Sequence, residues 1–352
     1  MWKLLGKLMY LFGLLAMAGL LGAYAASYID PNVSVLPALL GVSYPYLLIA
    51  NLVFLLYWVL RWKKMAWFEL AVILLGIPAF MTYYGTAEVR EADEPADLAI
   101  LSYNVRYFDF YNWSEDKNAR KKLLDYLNGY KGDVICLQEF SMKFGSADEK
   151  ALANRLNTYP YRYISDNMGI FSRLPIVGQG RLAFPKDDSG SCLYCDLAVG
   201  NDTVRVYNVH LESYRFSTKD RAFVQGIGKG IKDGELSDGA RGLAARFAVA
   251  TRNRAKQAEQ ISRHLCRSPY FVILCGDFND TPLSYTYRKM KTGLRDAFIE
   301  CGRGVGNTYI GEFPSFRIDY ILHSPELSAV SYFRDTVALS DHYPVRCRFR
   351  ME

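Results

Sequence analysis

The chain has 352 residues, is 51% hydrophobic and 22% charged, and carries a formal net charge of +6 at pH 7. These averages exclude a collagen-like, low-complexity or disordered chain, and the charge is too weak to imply nucleic-acid binding through bulk electrostatics. The averages conceal a division: 62 of the first 87 residues are apolar and seven are charged, whereas the rest of the chain is about 45% apolar and about 27% charged, as in one large soluble domain.

Leu8–Ile29 and Pro31–Leu60 contain no charged residue, and Met65–Ala87 is interrupted only by Glu69. A helix needs about 20 apolar residues to cross a bilayer core, so these runs predict an all-α anchor with three membrane spans near 5–27, 37–60 and 66–85. Lys3 and Lys7 ahead of an apolar run ending Ala23-Tyr24-Ala25-Ala26 resemble a cleaved leader, but the length of the run and the two runs that follow favour an anchor. Lys3, Lys7, Arg61, Lys63 and Lys64 are the bases of this half, and the positive-inside rule assigns them to the cytoplasm. Three spans then put the rest of the chain outside the cell membrane, on the periplasmic side. A re-entrant second segment, with Pro37 and Pro45 inside it, would reverse that sidedness.

Residues 88–97 are acidic and read as a linker, and residues 98–352 as one catalytic domain. In chain order, apolar runs at Leu98–Asn104, Asp133–Glu139, Gly169–Arg173, Thr203–His210, Tyr270–Asp277 and Ile318–Leu322 predict buried strands that end in polar residues. Helical periodicity at Lys117–Tyr130 and Arg241–Leu265 falls between them. In the second helix, Leu243, Phe247, Ala250, Ala258, Ile261 and Leu265 make an apolar face, and Arg246, Arg252, Arg254, Lys256 and Arg263 lie largely off it. Strands alternating with helices indicate α/β architecture and, taken alone, a parallel sheet. Of seven cysteines, Cys136 and Cys275 lie in strands as small hydrophobes; the Cys192-Leu-Tyr-Cys195 spacing has no second pair to complete a metal site.

The strand ends collect Asn104, Glu139, His210, Asp277, Asn279, Asp319, Asp341 and His342. Carboxylate and amide oxygens suit a hard divalent cation, and two histidines add proton transfer, so the inventory points to metal-assisted hydrolysis of a phosphate ester. Ser102-Tyr-Asn-Val-Arg106, Leu137-Gln-Glu139, Phe171-Ser-Arg-Leu-Pro175, Asn208-Val-His-Leu211, Gly276-Asp-Phe-Asn279, Arg317-Ile-Asp-Tyr320 and Ser340-Asp-His342 resemble, in order, the motifs of the endonuclease/exonuclease/phosphatase (DNase I-like) superfamily, here as a membrane-anchored, bacterial-type member.

That resemblance implies a four-layer α/β sandwich, with two mostly antiparallel sheets packed face to face and helices outside. It also implies Mg²⁺, or Mn²⁺, held by Glu139, Asn104 and Asp341. Asp277 and Asn279 would position the attacking water and a phosphoryl oxygen. Asp319 would orient His342 as general base or phosphate clamp, and His210 would protonate a leaving alkoxide. Arg106 and Arg173 are further candidates for contacting phosphate.

The expected partners are a phosphate-ester substrate and the lipid bilayer. A phospholipid or sphingolipid head group and extracytoplasmic nucleic acid are both open as substrates, and no obligate protein partner is implied. A phosphomonoesterase of the inositol-phosphatase type and a non-catalytic binding protein on the same fold are the alternatives. The Tyr214–Arg241 segment matches no element of the family.

Overall fold

The computed structural model describes residues 2–87, 96–109, 113–114, 116–140, 156–185, 188–215, 233–311 and 315–351. Most of the acidic linker and of the Tyr214–Arg241 segment therefore lies outside the described residues. All six expected strands form, and each is buried on both faces because it lies between a second sheet and a helix layer.

One sheet has the order β13 (Leu327–Arg334), β14 (Val345–Met351), β2 (Leu98–Asn104), β3 (Val134–Gln138), β5 (Met168–Ser172), β4 (Tyr161–Ser165). The other runs β10 (Arg295–Asp296), β12 (Asp319–His323), β9 (Phe271–Asp277), β8 (Asp202–His210), β7 (Ser191–Val199), β6 (Ile176–Leu182). Only the β2–β3 and β8–β9 pairs within these sheets are parallel. The parallel sheet suggested by strand–helix alternation is thus corrected: near-continuous apolar runs arise here from sandwiching, whatever the strand direction.

Alternation along each strand sorts the core. Ile100, Cys136, Val206, Ile273, Cys275 and Ile321 fill the space between the sheets. On one outer face, Leu101, Ile135 and Leu137 pack on Leu123 and Leu127 of α6 (Ala119–Gly129), which lie one helical turn apart. On the other, Val209, Val272 and Leu274 pack on Ala258, Ile261 and Leu265 of α7 (Asp233–Leu265). Arg254 of α7 departs from the other bases placed off the apolar face: it is buried, pairs with Asp280 at 3.2 Å, donates to Glu212 O at 2.9 Å and lies over the Tyr214 ring. Arg246, Arg252, Lys256 and Arg263 are exposed. Cys192 and Cys195 belong to clusters on opposite faces of β7, so they form no paired motif.

The first 87 residues form α1 (Trp2–Ala25), α2 (Leu36–Val42), α3 (Tyr44–Leu60), α4 (Met65–Leu75), α5 (Ile77–Met81) and β1 (Tyr84–Thr86). The boundaries depart from three continuous runs. Among the described residues one helix, Gly6–Ala25, is long and apolar enough to cross a membrane alone; α2 and α3 meet at 73°, and α4 is a shorter apolar helix. The bend falls where Pro45 starts α3, since proline suits a first helical turn but not a helix interior.

Helix α3 lies antiparallel along α1. The Tyr10 and Trp58 rings are 4.6 Å apart, the Asn51 amide donates to Ala16 O at 3.1 Å, and Tyr24 faces Tyr44 at 6.1 Å. This region docks on the catalytic domain: β1 pairs with β11 (Arg303–Val305), Arg317 donates to Thr82 O at 2.7 Å, and Leu283 is buried with Leu20, Ala23 and Tyr44. Gly41 permits that approach, because a Cβ there would stand 2.9 Å from Leu283 O.

Candidate active site

The inward-facing rows of the two sheets turn polar at their last rungs. Ile100 and Ser102 lead to Asn104, Val206 and Asn208 to His210, and Ile273 and Cys275 to Asp277, while Asp319 precedes Ile321. Register aligns His210 and Asp319 on either side of Asp277. The β8–β9 approach requires Gly276, whose φ is +134° and where a Cβ would collide with the Val209 backbone.

Behind the site, Gln138 and Asn208 tie the sheets together. Gln138 Nε2 donates to Asn208 Oδ1 at 2.6 Å and to Ser102 Oγ at 3.1 Å; Asn208 Nδ2 donates to Leu137 O and Gly169 O, each at 3.0 Å. Sequence reasoning passed over these residues, although a polar residue in an inward row of apolar ones is a signal in itself.

Asp277 is the hub. Its Oδ1 accepts from Asn279 N at 2.8 Å, its Oδ2 accepts from Asn104 Nδ2 at 3.1 Å, and Oδ2 lies 3.7 Å from Nε2 of both His210 and His342. Burial, followed by the neighbouring Asp319 charge, pushes its carboxyl up to about 6 despite the two imidazoles. Asp319 Oδ2 accepts from His342 Nδ1 at 2.9 Å. Burial alone would lower His342, but Asp319 and Asp277 outweigh it and hold the imidazole well above its ordinary range, hence protonated at neutral pH. Tyr309 packs edge-on against His342 at 5.3 Å.

Glu139 leaves β3 with φ +49° and Asn279 follows β9 with φ +52°, left-handed conformations that cost about 1–2 kcal/mol each. Glu139 Oε1 lies 3.6 Å from His210 Nε2, a buried nitrogen with no hydrogen-bond partner. Both residues line a cleft of about 790 Å³ that also includes Tyr107, Asn167, Phe184 and Arg215. Asn279 donates its amide to Leu211 O at 3.0 Å. Asp341 pairs with Arg106 Nε at 3.3 Å, and Ser340 Oγ, beside it, donates to Asn104 O at 2.8 Å.

The structure thus brings together Asn104, Arg106, Glu139, His210, Asp277, Asn279, Asp319, Asp341 and His342. Arg173 is the exception. Ser172 pairs with Val134, at the opposite end of β3 from Glu139, and Arg173 donates to Lys131 O at 2.9 Å and lies over the Tyr159 ring. Strand direction, which the motif does not show, puts it at the far edge.

A divalent cation fits this donor set: four carboxylates converge, one is driven toward protonation by burial and its neighbour, and among the described residues Arg106, His342 and His210 are the basic groups that face them. Among the described residues, ligating atoms of Asp277, Asp319 and His342 all lie within 4.8 Å of one another. His342 donates from Nδ1 there and is held protonated, which opposes ligation by that ring.

Two sheets whose strand ends converge on carboxylates, amides and histidines define a metal-dependent phosphoesterase. The sequence model of the Endonuclease/Exonuclease/phosphatase family matches residues 101–342, and the chain belongs to that family. Its members are metal-dependent hydrolases of phosphate esters, as is this chain. A second model, of a domain of unknown function, matches residues 6–83. No curated protein matches the chain.

The fold is similar to that of humanized D. rerio TDP2 (20% identity, 72% of this chain, 99% of that chain, TM-score 0.51). It is also similar to that of D. rerio TDP2 complexed with single strand DNA product (18%, 72%, 99%, TM-score 0.50). The human Nocturnin catalytic domain with bound sulfate anion is a further likeness (15%, 72%, 93%, TM-score 0.50).

Proposed function

We propose that the protein is a membrane-anchored, Mg²⁺-dependent phosphodiesterase whose catalytic domain faces the extracytoplasmic side. The observation that carries the chemistry is the buried Nε2 of His210, which has no hydrogen-bond partner, lies beside Glu139 and Asp277 and belongs to a residue lining the cleft. Glu139, Asn104 and Asp341 would hold the cation, with Mn²⁺ as the alternative to Mg²⁺. When bound, the cation offsets charge developing on the phosphoryl oxygens.

Asp277, ionised above pH of about 6, accepts a proton from the attacking water, which Asn279 helps to orient. His342, protonated and held by Asp319, clamps a phosphoryl oxygen rather than acting as base. His210 donates to the departing alkoxide.

The anchor reading rests on an exposed apolar belt: Leu11, Leu15, Ile49, Val53, Leu56, Phe68 and Leu74 are all solvent-facing, a pattern costly in water. Exposed Trp62 and Trp67 mark the end with Arg61, Lys63 and Lys64, and exposed Tyr28 and Tyr46 the end that meets the catalytic domain. In this reading α1, α3 and α4–α5 are the three crossings, with antiparallel α3 as the return span.

Leu283 sits among the ends of α1 and α3, six residues beyond Asp277, so the site lies within about 20 Å of the bundle. A phosphodiester at the membrane surface, such as a lipid head group, is therefore favoured over free nucleic acid.

The test is a panel of lipid-head-group diesters, nucleic acids and phosphomonoesters assayed with Mg²⁺ and with EDTA. Hydrolysis of lipid diesters, abolished by EDTA, is expected; metal-independent hydrolysis, or turnover of monoesters alone, contradicts the reading. For sidedness, exposed Cys266 should react with an impermeant maleimide added outside intact cells. Labelling only after lysis contradicts the extracytoplasmic placement.

A further inference from the structure

The seam between the helical region and the catalytic domain holds a groove of about 830 Å³, within the range of roughly 300–1,000 Å³ typical of small-molecule sites. Its two walls differ in chemistry. Leu21, Leu75 and Pro78 come from the ends of α1, α4 and α5, and Leu283 continues their apolar surface. Arg288 and Lys291 come from the last turn of α8 (Tyr285–Met290) and just beyond it.

Helix α8 is aimed at the seam by its N-cap, Ser284, whose hydroxyl accepts from Tyr287 N immediately after the buried Leu283. Arg288 is held over the Tyr28 ring at 3.8 Å and Lys291 near the Tyr287 ring at 5.7 Å. Among the described residues neither base is paired with a carboxylate. Aromatic faces thus fix two cations where the apolar belt ends, and their N–H groups remain available.

We propose that this groove binds one anionic glycerophospholipid, an acyl chain lying along Leu21, Leu75 and Pro78 and the phosphate between Arg288 and Lys291. Charge complementarity and continuity with the exposed apolar belt select this occupant. A free phosphate would leave the apolar wall in water, and a zwitterionic head group would bring its own cation against the two bases. The bound lipid would seal the joint that holds the catalytic domain to the bundle. The inference rests on the membrane reading above but not on the catalytic one.

The test is native mass spectrometry of the full-length protein, released from nanodiscs of equal phosphatidylglycerol and phosphatidylcholine. The wild type should retain one phosphatidylglycerol with about tenfold preference, the equivalent of one charge-assisted contact. Arg288→Gln with Lys291→Gln should abolish the preference, and Thr292→Trp, which fills the groove and leaves the bases, should lower retention. Hydrolysis of a soluble diester should be unchanged in both. A wild type without preference, or a double variant that keeps it, overturns the proposal. A wild type that hydrolyses the diester yet shows no preference refutes this inference alone, whereas a chain that stays monodisperse without detergent refutes the anchor beneath it.

Discussion

Replacing Asp319 with Asn tests the histidine assignment with little change in shape. The Asp319 and His342 side chains are buried, and the 2.9 Å contact is a charge-assisted hydrogen bond, worth about 1.5–3 kcal/mol. Its loss removes the charge and hydrogen bond that raise His342, so the His342 pKa should fall toward its ordinary range. His342 then spends less time as imidazolium and loses its orientation, so kcat/KM on a soluble diester should fall by about 10²–10⁴-fold.

Stability provides a second readout. A histidine whose folded pKa is raised contributes stability that is full below its unfolded value and is lost as pH rises through the folded one. The deficit of Asp319→Asn should therefore be largest below about pH 6.5 and shrink toward alkaline pH. Histidine NMR titration and urea melts at several pH values measure both effects. A variant within threefold of wild-type activity, with an unmoved His342, would refute the reasoning.

Three further outcomes follow from the same geometry. Arg173→Ala should cost about 1 kcal/mol of stability through its lost bond to Lys131 O and leave kcat unchanged, while Arg106→Ala, which frees Asp341, should lower kcat/KM about tenfold or more; equal kinetic losses would contradict the placement of Arg173. Asn208→Leu removes one acceptor of Gln138 and the donor to two carbonyls and should destabilise by about 2–4 kcal/mol in a denaturant melt; a cost near zero would show that the polar layer is not structural. Because the Asp277 carboxyl is raised, it takes up a proton early on acidification, so kcat/KM should fall as pH drops through about 6; a profile flat to pH 4.5 would remove Asp277 from the proton path.

Much of this was legible in the sequence, for identifiable reasons. Residues ending an apolar run, such as Asn104, Glu139, His210 and Asp277, announce themselves because a sheet delivers its last side chain to the rim. Strand direction does not show locally: the apolar run of β5 gives no sign that its start, not its end, faces the site, and so Arg173 was misplaced. Helical periodicity likewise could not separate Arg254, drawn into the core by Asp280 and Tyr214, from its exposed neighbours on α7. In the apolar half, hydropathy marked the runs but not the bend at Ser43, because the break between α2 and α3 is a backbone event set by Pro45.

The most direct test of the central claim is diester hydrolysis by the full-length protein titrated with Mg²⁺, wild type beside Glu139→Gln. Saturable Mg²⁺ activation is expected, with no activity in EDTA and a variant at least about 100-fold less active, since one of the few carboxylates available to a hard cation is gone. A Glu139→Gln protein that titrates and turns over like the wild type would contradict the claim.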